Sequence, residues 1–450
     1  MIVHCCRAFR MMALVLCLFL AFFIHTAGRA ASDAALADAL DSYVDALNAA
    51  CDNLAGNGIV LVIKGSDIAA MRFYGMADRE NLASFSENTP MPIGSVSKLF
   101  TAIGIMQLNE EGMLTPDDRI SKHLPDLLGG DQITIRHLLT HTSGMSNELA
   151  DLKRILPLRF APGTDTLYSN AGYQLLAEVI EAASGMRFED YMRSHVFDPA
   201  SMKRTGFIRN SRDVQGLAVG YDYSNNRFFR KSAFDLSRAY GSGNVYSTAY
   251  DMYLFDIALR DGRLLKSETL ALMTMDNTGI GRNYGYGCFV GSLNGHAWFG
   301  HSGNLSSGYF SYYASYPQND VTVVLLFNST SNDNDTIMKA ISSVALGETY
   351  TLPTKKSRIN LDKLSLKKFA GQYAMPDGTI LTVKSGERTL EVRRRGDVMY
   401  LAPYSGNGFY DPTHPLWTHF FEVDEEGRAC RYVIDNGVDK ITLIRVIETT

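Results

Sequence analysis

The sequence predicts an α+β fold, in which an antiparallel sheet flanked by helices carries a helical lobe and a small all-β, barrel-like domain follows. Three observations indicate this. Over residues 31–348 the hydrophobic periodicity runs in the order helix, strands, helices, strands, helix. Residues 349–360 are polar and predict a linker. Residues 361–450 alternate short β-rich runs with Gly, Asp and Asn turns, which predicts the second domain.

The first domain opens with a predicted helix over residues 33–53. Two β-rich runs, 58–64 and 68–74, are separated by a Gly-Ser pair and predict a hairpin. Residues 99–111 predict a second helix, because they carry an apolar stripe that would bury it in a core, formed by Leu99, Ile103, Met106 and Leu108.

The middle of the first domain is predicted to be helical, with helices over residues 135–139 and 171–184 and another that begins after residue 247. Strands return at residues 297–300, 308–316 and 321–328, before a final helix over 333–346. Because strands lie near both ends of this domain, we expect them to pair in one antiparallel sheet with the helices inserted as a lobe.

The tail is predicted to form a small up-and-down sheet or barrel. Its β-rich runs are residues 379–383, 389–392, 399–402, 420–423, 431–434 and 441–446. Its many aromatic residues would fill the core of that barrel.

Composition limits the function. At 450 residues and 46% hydrophobic, the chain can bury a large core, and a net charge of −5 without a dense basic cluster argues against nucleic-acid binding. Two arginines, a short apolar run over residues 11–24 and small residues after it predict a signal peptide over residues 1–30, cleaved after Ala30. We therefore expect a periplasmic or secreted protein. An uncleaved anchor and lipidation at Cys17 are the alternatives.

Three cysteines remain after that cleavage, Cys51, Cys288 and Cys430. Their scattered spacing gives neither a disulfide framework nor a zinc site, so we expect buried small side chains, with a Cys51–Cys288 bridge as the alternative. The sequence shows no nucleotide motif and no ligand spacing for a metal. We expect no cofactor and no metal, and a small-molecule or peptide substrate; the oligomeric state stays open.

The candidate nucleophile is Ser95, in the run Gly94-Ser95-Val96-Ser97-Lys98 between a strand-like run and a helix. Ser95 and Lys98 are three residues apart, so on the first turn of a helix their side chains share a face. A serine hydroxyl needs an adjacent base to act as a nucleophile, and a desolvated lysine supplies one. A second Ser-x-x-Lys, Ser365 to Lys368, lies on a charged segment and is interpreted as surface.

Two further motifs follow in order. Tyr168-Ser169-Asn170 precedes a predicted helix, and His301-Ser302-Gly303 lies in a predicted strand. Each has a second copy, Tyr223-Ser224-Asn225 and Lys384-Ser385-Gly386, which we interpret as an exposed turn and as part of the tail sheet.

Taken together, these motifs resemble those of the serine penicillin-recognising enzymes, in the branch of class C β-lactamases, D-aminopeptidases and related esterases. The resemblance covers about residues 35 to 347, and the tail resembles the lipocalin-like barrels of some members. It implies that Ser95 forms an acyl-enzyme, Lys98 takes or relays its proton, and Tyr168 passes a proton to the leaving group. For Tyr168 to do so, we expect the Lys98 charge to depress its pKa.

The same resemblance implies roles in substrate binding. Asn170 orients the lysine and the substrate amide, and His301 and Gly303 belong to the substrate-binding strand. The backbone N–H groups of Ser95 and Asn304 form the oxyanion hole. A nearby histidine, His141, is interpreted as turn-stabilising.

The resemblance predicts an exported serine hydrolase acting on esters or small D-amino-acid amides and peptides. His301 stands where β-lactamases and carboxypeptidases commonly carry lysine, and an uncharged imidazole weakens recognition of a substrate carboxylate. The alternatives are a penicillin-binding D,D-carboxypeptidase or β-lactamase, and a non-catalytic scaffold. The role of the tail stays open; a loop over residues 404–415 that reaches over the active site is one interpretation.

Overall fold

The computed structural model describes residues 31–51, 57–147, 155, 157–224 and 227–446. The predicted signal peptide, residues 1–30, lies outside these described residues. Within the described ranges, no helix combines the length and the apolar character needed to cross a membrane.

The first domain alternates helices and strands along the chain. Its first elements are α1 (residues 31–50), β1 (Gly58–Lys64), β2 (Asp67–Tyr74), β3 (Met91–Pro92) and α2 (Ser97–Glu110). The middle elements are α3 (Ile135–Leu139), α4 (Asn170–Ser184), α5 (Phe188–Met192), β4 (Gly206–Phe207), β5 (Tyr221–Ser224), β6 (Arg227–Arg230), β7 (Val245–Ser247), α6 (Ala249–Arg260) and α7 (Ser267–Met273). The last are β8 (Phe289–Leu293), β9 (His296–Leu305), β10 (Tyr309–Tyr316), β11 (Val321–Phe327) and α8 (Asn334–Leu346).

A six-stranded antiparallel sheet forms the centre of this domain, in the order β2-β1-β11-β10-β9-β8. β1 pairs with β11 along its whole length, from Gly58 opposite Phe327 to Lys64 opposite Val321. The two ends of the domain therefore meet inside one sheet, and the predicted α+β architecture is confirmed. β3, β7 and β4 form a separate small sheet at the base of α2.

The large sheet separates two hydrophobic layers. Leu40 of α1 and Ile341 of α8 are buried on one face, and Ile103 of α2 is buried among the lobe helices on the other. Since neighbouring residues of a strand face opposite sides, Tyr312 of β10 packs in the α1–α8 layer and Tyr313 packs in the lobe layer.

Cys51 and Cys288 lie in these two different layers. No disulfide joins the cysteines of the described chain. The sheet stands between the two thiols, so the alternative Cys51–Cys288 bridge is wrong. Both cysteines are buried, whereas Cys430 is partly exposed.

The ends of the lobe helices follow local sequence signals. The Ser169 hydroxyl accepts a hydrogen bond from the Gly172 N–H at 3.1 Å and caps α4. The helix ends at Gly185, whose φ of 71° suits glycine. By contrast, α2 is buried nearly all round, beyond the predicted apolar stripe. Its first turn is consequently in the interior of the domain.

The tail folds into a closed eight-stranded barrel, preceded by the short helix α9 (Lys363–Lys367). Its strands are β12 (Gly371–Ala374), β13 (Ile380–Ser385), β14 (Leu390–Arg394), β15 (Asp397–Pro403), β16 (Gly408–Asp411), β17 (His414–Val423), β18 (Ala429–Asp435) and β19 (Lys440–Arg445). Each strand pairs with the next, and β12 pairs with β19. The predicted small barrel is confirmed, although its two four-residue strands, β12 and β16, are not apparent from the sequence.

The barrel packs against the α1–α8 side of the first domain. Leu416 is buried in that layer, and its N–H donates to Asp333 Oδ2 at 3.1 Å. The Thr413 carbonyl accepts from Asn332 Nδ2 at 3.0 Å. The interpretation of residues 404–415 as a loop over the active site is wrong. They contain β16 and the turn into β17, and that turn lies at the start of α8, across the sheet from the lobe.

Candidate active site

Ser95 and Lys98 lie at the junction of β3 and α2. A 3-10 turn, Gly94–Val96, holds Ser95, and Lys98 lies in the first turn of α2, where it is completely buried. Lys98 Nζ is 3.2 Å from Ser95 Oγ and 2.8 Å from both Asn170 Oδ1 and the Ser242 carbonyl oxygen. The fold therefore brings the candidate nucleophile and its candidate base into hydrogen-bond contact.

Burial favours the uncharged form of Lys98. Because an ammonium group loses its hydration inside a protein, burial lowers the Lys98 pKa well below its usual value. A neutral amine has two N–H donors and one lone pair. Asn170 Oδ1 and the Ser242 carbonyl, both 2.8 Å away, use the two donors. The lone pair is left to accept the Ser95 hydroxyl hydrogen, as a general base must.

Tyr168 is the residue before Ser169, the cap of α4. Its ring centre lies 4.7 Å from Lys98 Nζ. Burial raises the Tyr168 pKa above its usual value, and the neighbouring Ser95 side chain opposes this only in part. The expectation that the Lys98 charge depresses the Tyr168 pKa is wrong, because burial disfavours the ionised form of both groups. Tyr168 is a neutral phenol in the resting site.

Asn170 begins α4 and connects the loop that carries Asn147 to Lys98 of α2. Its backbone N–H donates to Asn147 Oδ1 at 2.9 Å, while its side-chain oxygen accepts from Lys98. The start of α4 therefore fixes the position of the Asn170 side-chain amide, and that amide in turn positions the Lys98 amine.

The other wall of the site is the far half of β9. β8 pairs with β9 only as far as Gly300, so residues 301–305 present a free edge toward the Ser95 turn. A Cβ at Gly303 would lie 2.3 Å from the Ile93 carbonyl oxygen and 2.9 Å from the Ser95 nitrogen. Only glycine permits this close approach. Asn304, the next residue, is exposed. The Ser95 N–H and this strand border the same space, where the resemblance places the oxyanion hole.

His301 is buried beside the site as a neutral imidazole. Its Nδ1 lies 2.6 Å from the Ser302 carbonyl oxygen and its Nε2 lies 3.1 Å from the Tyr284 hydroxyl. The carbonyl can only accept, so Nδ1 carries the hydrogen and Nε2 accepts from Tyr284. Burial lowers the His301 pKa to about 3. The position therefore carries no fixed positive charge at neutral pH.

Sequence reasoning missed two members of this cluster and interpreted a third correctly. The Ser242 carbonyl and the Tyr284 hydroxyl carry no motif, and only the fold reveals their contacts. His141 Nδ1 accepts from the Ser169 N–H at 3.1 Å, and its ring centre lies 4.3 Å from that of Tyr168. This fits the turn-stabilising role expected of it.

The second copies of the motifs lie elsewhere. Ser365 is exposed on α9, and Lys368 Nζ donates to Asn407 Oδ1 at 3.0 Å. Lys384 and Ser385 lie on β13 of the barrel. Tyr223 lies on β5, and Asn225, which completes that motif, is outside the described residues. Among the described residues, no group of three or more His, Cys, Asp or Glu side chains is arranged to hold a metal ion.

Comparisons with known proteins identify the family of this chain. The sequence model of the β-lactamase family matches residues 40–345. A penicillin-binding protein of Bacillus subtilis (strain 168) is 28% identical over 397 residues, covering 79% of this chain and 87% of its own. The teichoic acid D-alanine hydrolase of Staphylococcus aureus is 26% identical over 315 residues, covering 66% and 77%.

A solved structure shares the fold over nearly the whole chain. The octameric penicillin-binding protein homologue of Pyrococcus abyssi is 23% identical, with a TM-score of 0.62, and covers 91% of this chain and 99% of its own. With the family model spanning most of the first domain, the chain belongs to the β-lactamase family of penicillin-binding-protein-like serine hydrolases.

Proposed function

We propose that this protein is an exported serine hydrolase that works through an acyl intermediate on Ser95. The observation that supports this best is the contact between a buried amine and the Ser95 hydroxyl. Lys98 Nζ lies 3.2 Å from Ser95 Oγ, and Tyr168, a neutral phenol from a separate element, has its ring centre 4.7 Å from the same amine. A base and an acid close to one hydroxyl meet the requirements of acyl transfer.

The reaction would run in two stages. Ser95 Oγ attacks the substrate carbonyl carbon while its proton passes to Lys98 Nζ, and the N–H groups of Ser95 and Asn304 stabilise the oxyanion. Lys98 returns that proton through Tyr168 to the leaving oxygen or nitrogen as its bond to the carbonyl breaks. Water then attacks the acyl-serine and gives up a proton to the same pair. The pair returns that proton to Ser95 Oγ as the acyl–oxygen bond breaks, which releases the acid and restores the free serine.

Esters and small D-amino-acid amides or peptides are the proposed substrates. The neutral His301 supplies no cation for a substrate carboxylate, which disfavours carboxylate-bearing β-lactams and peptide ends. A relative is named as a hydrolase of D-alanine on teichoic acid, which is consistent with a D-amino-acid acyl group.

The test is acylation at Ser95. Intact mass is measured after separate incubation with p-nitrophenyl acetate and with a fluorescent penicillin. The ester reaction is also followed by nitrophenol release. We expect rapid ester turnover that Ser95→Ala abolishes and that Tyr168→Phe slows by about 10²- to 10⁴-fold, without a long-lived penicillin adduct.

Ser365→Ala is the matched control, because Ser365 begins the second Ser-x-x-Lys but is exposed on the barrel. It should leave turnover unchanged. A stable penicillin adduct lost in Ser95→Ala would favour a cell-wall D,D-peptidase instead. No acylation by either reagent would favour the non-catalytic scaffold.

Export to the periplasm or the medium is also proposed, from the signal-peptide features of residues 1–30. N-terminal sequencing of the protein from its native host should begin at Ala31. A chain that still begins at residue 1 and fractionates with membranes would instead support the uncleaved anchor.

A further inference from the structure

The barrel is filled at one end and hollow at the other. At the filled end, aromatic rings pack edge to face or stacked across the interior, with centroids 4.4 to 5.7 Å apart among Phe369, Tyr373, Phe409, Phe421 and Tyr432. Helix α9 lies beside them and adds the buried Leu366. These rings account for much of the aromatic content of the tail, and they fill the interior at this end of the barrel.

At the other end, beyond these aromatic rings, the barrel contains a cavity of about 670 Å³. That volume lies within the range of about 300–1,000 Å³ that small-molecule sites occupy. The lining is mainly apolar and includes Leu381, Val392, Met399, Ile434 and Ile441. Met399 and Ile441 pack against the core of the barrel but are only partly buried, because they also border this empty space.

Two polar residues of this lining, Asp411 and His419, are buried. Asp411 Oδ1 already accepts from the Thr413 N–H at 2.8 Å and from the Thr413 hydroxyl at 2.7 Å. His419 of β17 lines the cavity and is 1% exposed. Its Nδ1 lies 2.6 Å from the Tyr432 hydroxyl, and its Nε2 has no hydrogen-bond partner among the described residues. Buried polar atoms in proteins are rarely left without a hydrogen-bond partner, so His419 Nε2, unpartnered within the described chain, indicates that a bound molecule supplies one.

Whether that partner is a hydrogen-bond donor or an acceptor depends on which ring nitrogen of His419 carries the hydrogen. Tyr432 is fully buried, and His419 Nδ1 is the acceptor within reach of its hydroxyl hydrogen. With Nδ1 accepting, the neutral ring carries its hydrogen on Nε2. Burial lowers the His419 pKa to about 4, so the ring is neutral at pH 7. The cavity therefore offers one uncharged N–H donor.

We propose that the barrel binds an uncharged, mainly apolar small molecule that places a carbonyl or similar hydrogen-bond acceptor against His419 Nε2. A charged ligand group is disfavoured at that depth, because a neutral donor does not compensate for its desolvation. Three charged lining residues, Arg358, Arg394 and Asp397, are exposed at the mouth and of mixed sign, whereas the buried Asp411 carboxylate is held by Thr413. This site is independent of Ser95 and of the proposed hydrolase activity.

Binding is tested first with Nile red, an uncharged apolar dye, by its fluorescence on the full-length chain. Ile441→Trp fills the cavity and should abolish the fluorescence gain. Thr442→Trp is the matched control, because Thr442 is exposed on the same strand and faces outward. It should bind the dye normally. Dye binding that is absent, or equal in both variants, would overturn the site.

The ligand class is tested by displacing the dye with a medium-chain methyl ketone and with the alkane of equal length. In the native chain we expect the ketone to bind roughly five- to tenfold more tightly, the contribution of one neutral hydrogen bond. His419→Leu should remove that preference while alkane binding persists, and His419→Gln, which keeps a donor, should retain it in part.

Thermal melting by circular dichroism checks that each variant folds. If His419→Leu does not fold, the Nε2–H proton resonance of His419 in the native chain should shift on adding the ketone but not the alkane. Equal affinity for ketone and alkane in the native chain would show that His419 binds water alone and would overturn the proposed ligand class.

Discussion

Replacing Gly303 by alanine should misplace the nucleophile without unfolding the protein. The added Cβ would lie 2.3 Å from the Ile93 carbonyl oxygen and 2.9 Å from the Ser95 nitrogen. These two neighbours are backbone atoms of the segment that carries Ser95. The third, Ser311 Oγ at 2.5 Å, donates to the same Ile93 carbonyl, and rotating that side chain away would leave the two backbone contacts in place. Strand β9 and the Ser95 turn must move apart.

The size of that movement follows from the contact. A carbon atom and a carbonyl oxygen ordinarily approach to about 3.3 Å, so the Cβ lies about 1 Å too close to Ile93. A misplacement of 1 Å at a catalytic group costs about a hundredfold in rate, which corresponds to about 2.7 kcal/mol of activation free energy. Overpacking should lower the unfolding free energy by about 1–3 kcal/mol, which leaves the domain folded.

The assay compares kcat and KM for p-nitrophenyl acetate with the melting temperature of each variant. Gly243→Ala is the matched control, because Gly243 lies beside the same turn but its Cβ would lie 3.6 Å from Ala239 and 3.7 Å from the Gly94 carbonyl carbon, ordinary contact distances. We expect Gly303→Ala to lose about a hundredfold in kcat and Gly243→Ala to stay near the native rate.

Two results would refute this reasoning. One is a Gly303→Ala enzyme with native kcat, which would mean that the strand does not fix the Ser95 turn. The other is an equal loss in both variants, which would mean that any added methyl near Gly94 is harmful.

Two further predictions concern the charges of the site. Lys98→Met should lower acylation by about 10²- to 10⁴-fold. Since the unfolded lysine binds a proton that the folded one rejects, the native unfolding free energy should rise with pH up to the ordinary lysine pKa of about 10.4. Denaturant unfolding between pH 7 and 10 should show that rise relative to Lys98→Met, and parallel curves would contradict a neutral Lys98. For His301, the imidazole carbon-bound proton shift should stay constant from pH 8 down to pH 5 and move only as the pH nears its pKa of about 3; a midpoint near 6.5, the ordinary histidine value, would contradict its burial as a neutral ring.

Much of the secondary structure and the main motifs of the candidate site could be predicted from local sequence signals. Periodicity predicted the hairpin of β1 and β2, the helices α2, α3, α4 and α8, and the strands β9 to β11, because these depend on neighbours in the chain. It did not predict β8, which forms one edge of the large sheet. The order of Ser95, Tyr168 and His301 separated the site from its second copies. The spacing of Ser95 and Lys98 placed both groups on one helical turn, where the structure finds them 3.2 Å apart.

Some barrel features were not apparent because their signals are short. β12 and β16 have four residues each, too few to show alternation, and barrel closure pairs β12 with β19, some seventy residues away along the chain. The cavity follows from that closure, since no single strand encloses it.

Only the tertiary structure decided the electrostatics. The Ser242 carbonyl that holds Lys98 is a backbone atom, which leaves no mark in the sequence, and it comes from a loop 144 positions away. The expected depression of the Tyr168 pKa fails because the shift depends on how much water the fold excludes, not on which residues are present. The sequence thus determined which groups meet at Ser95, while burial by distant segments decided the protonation state of each.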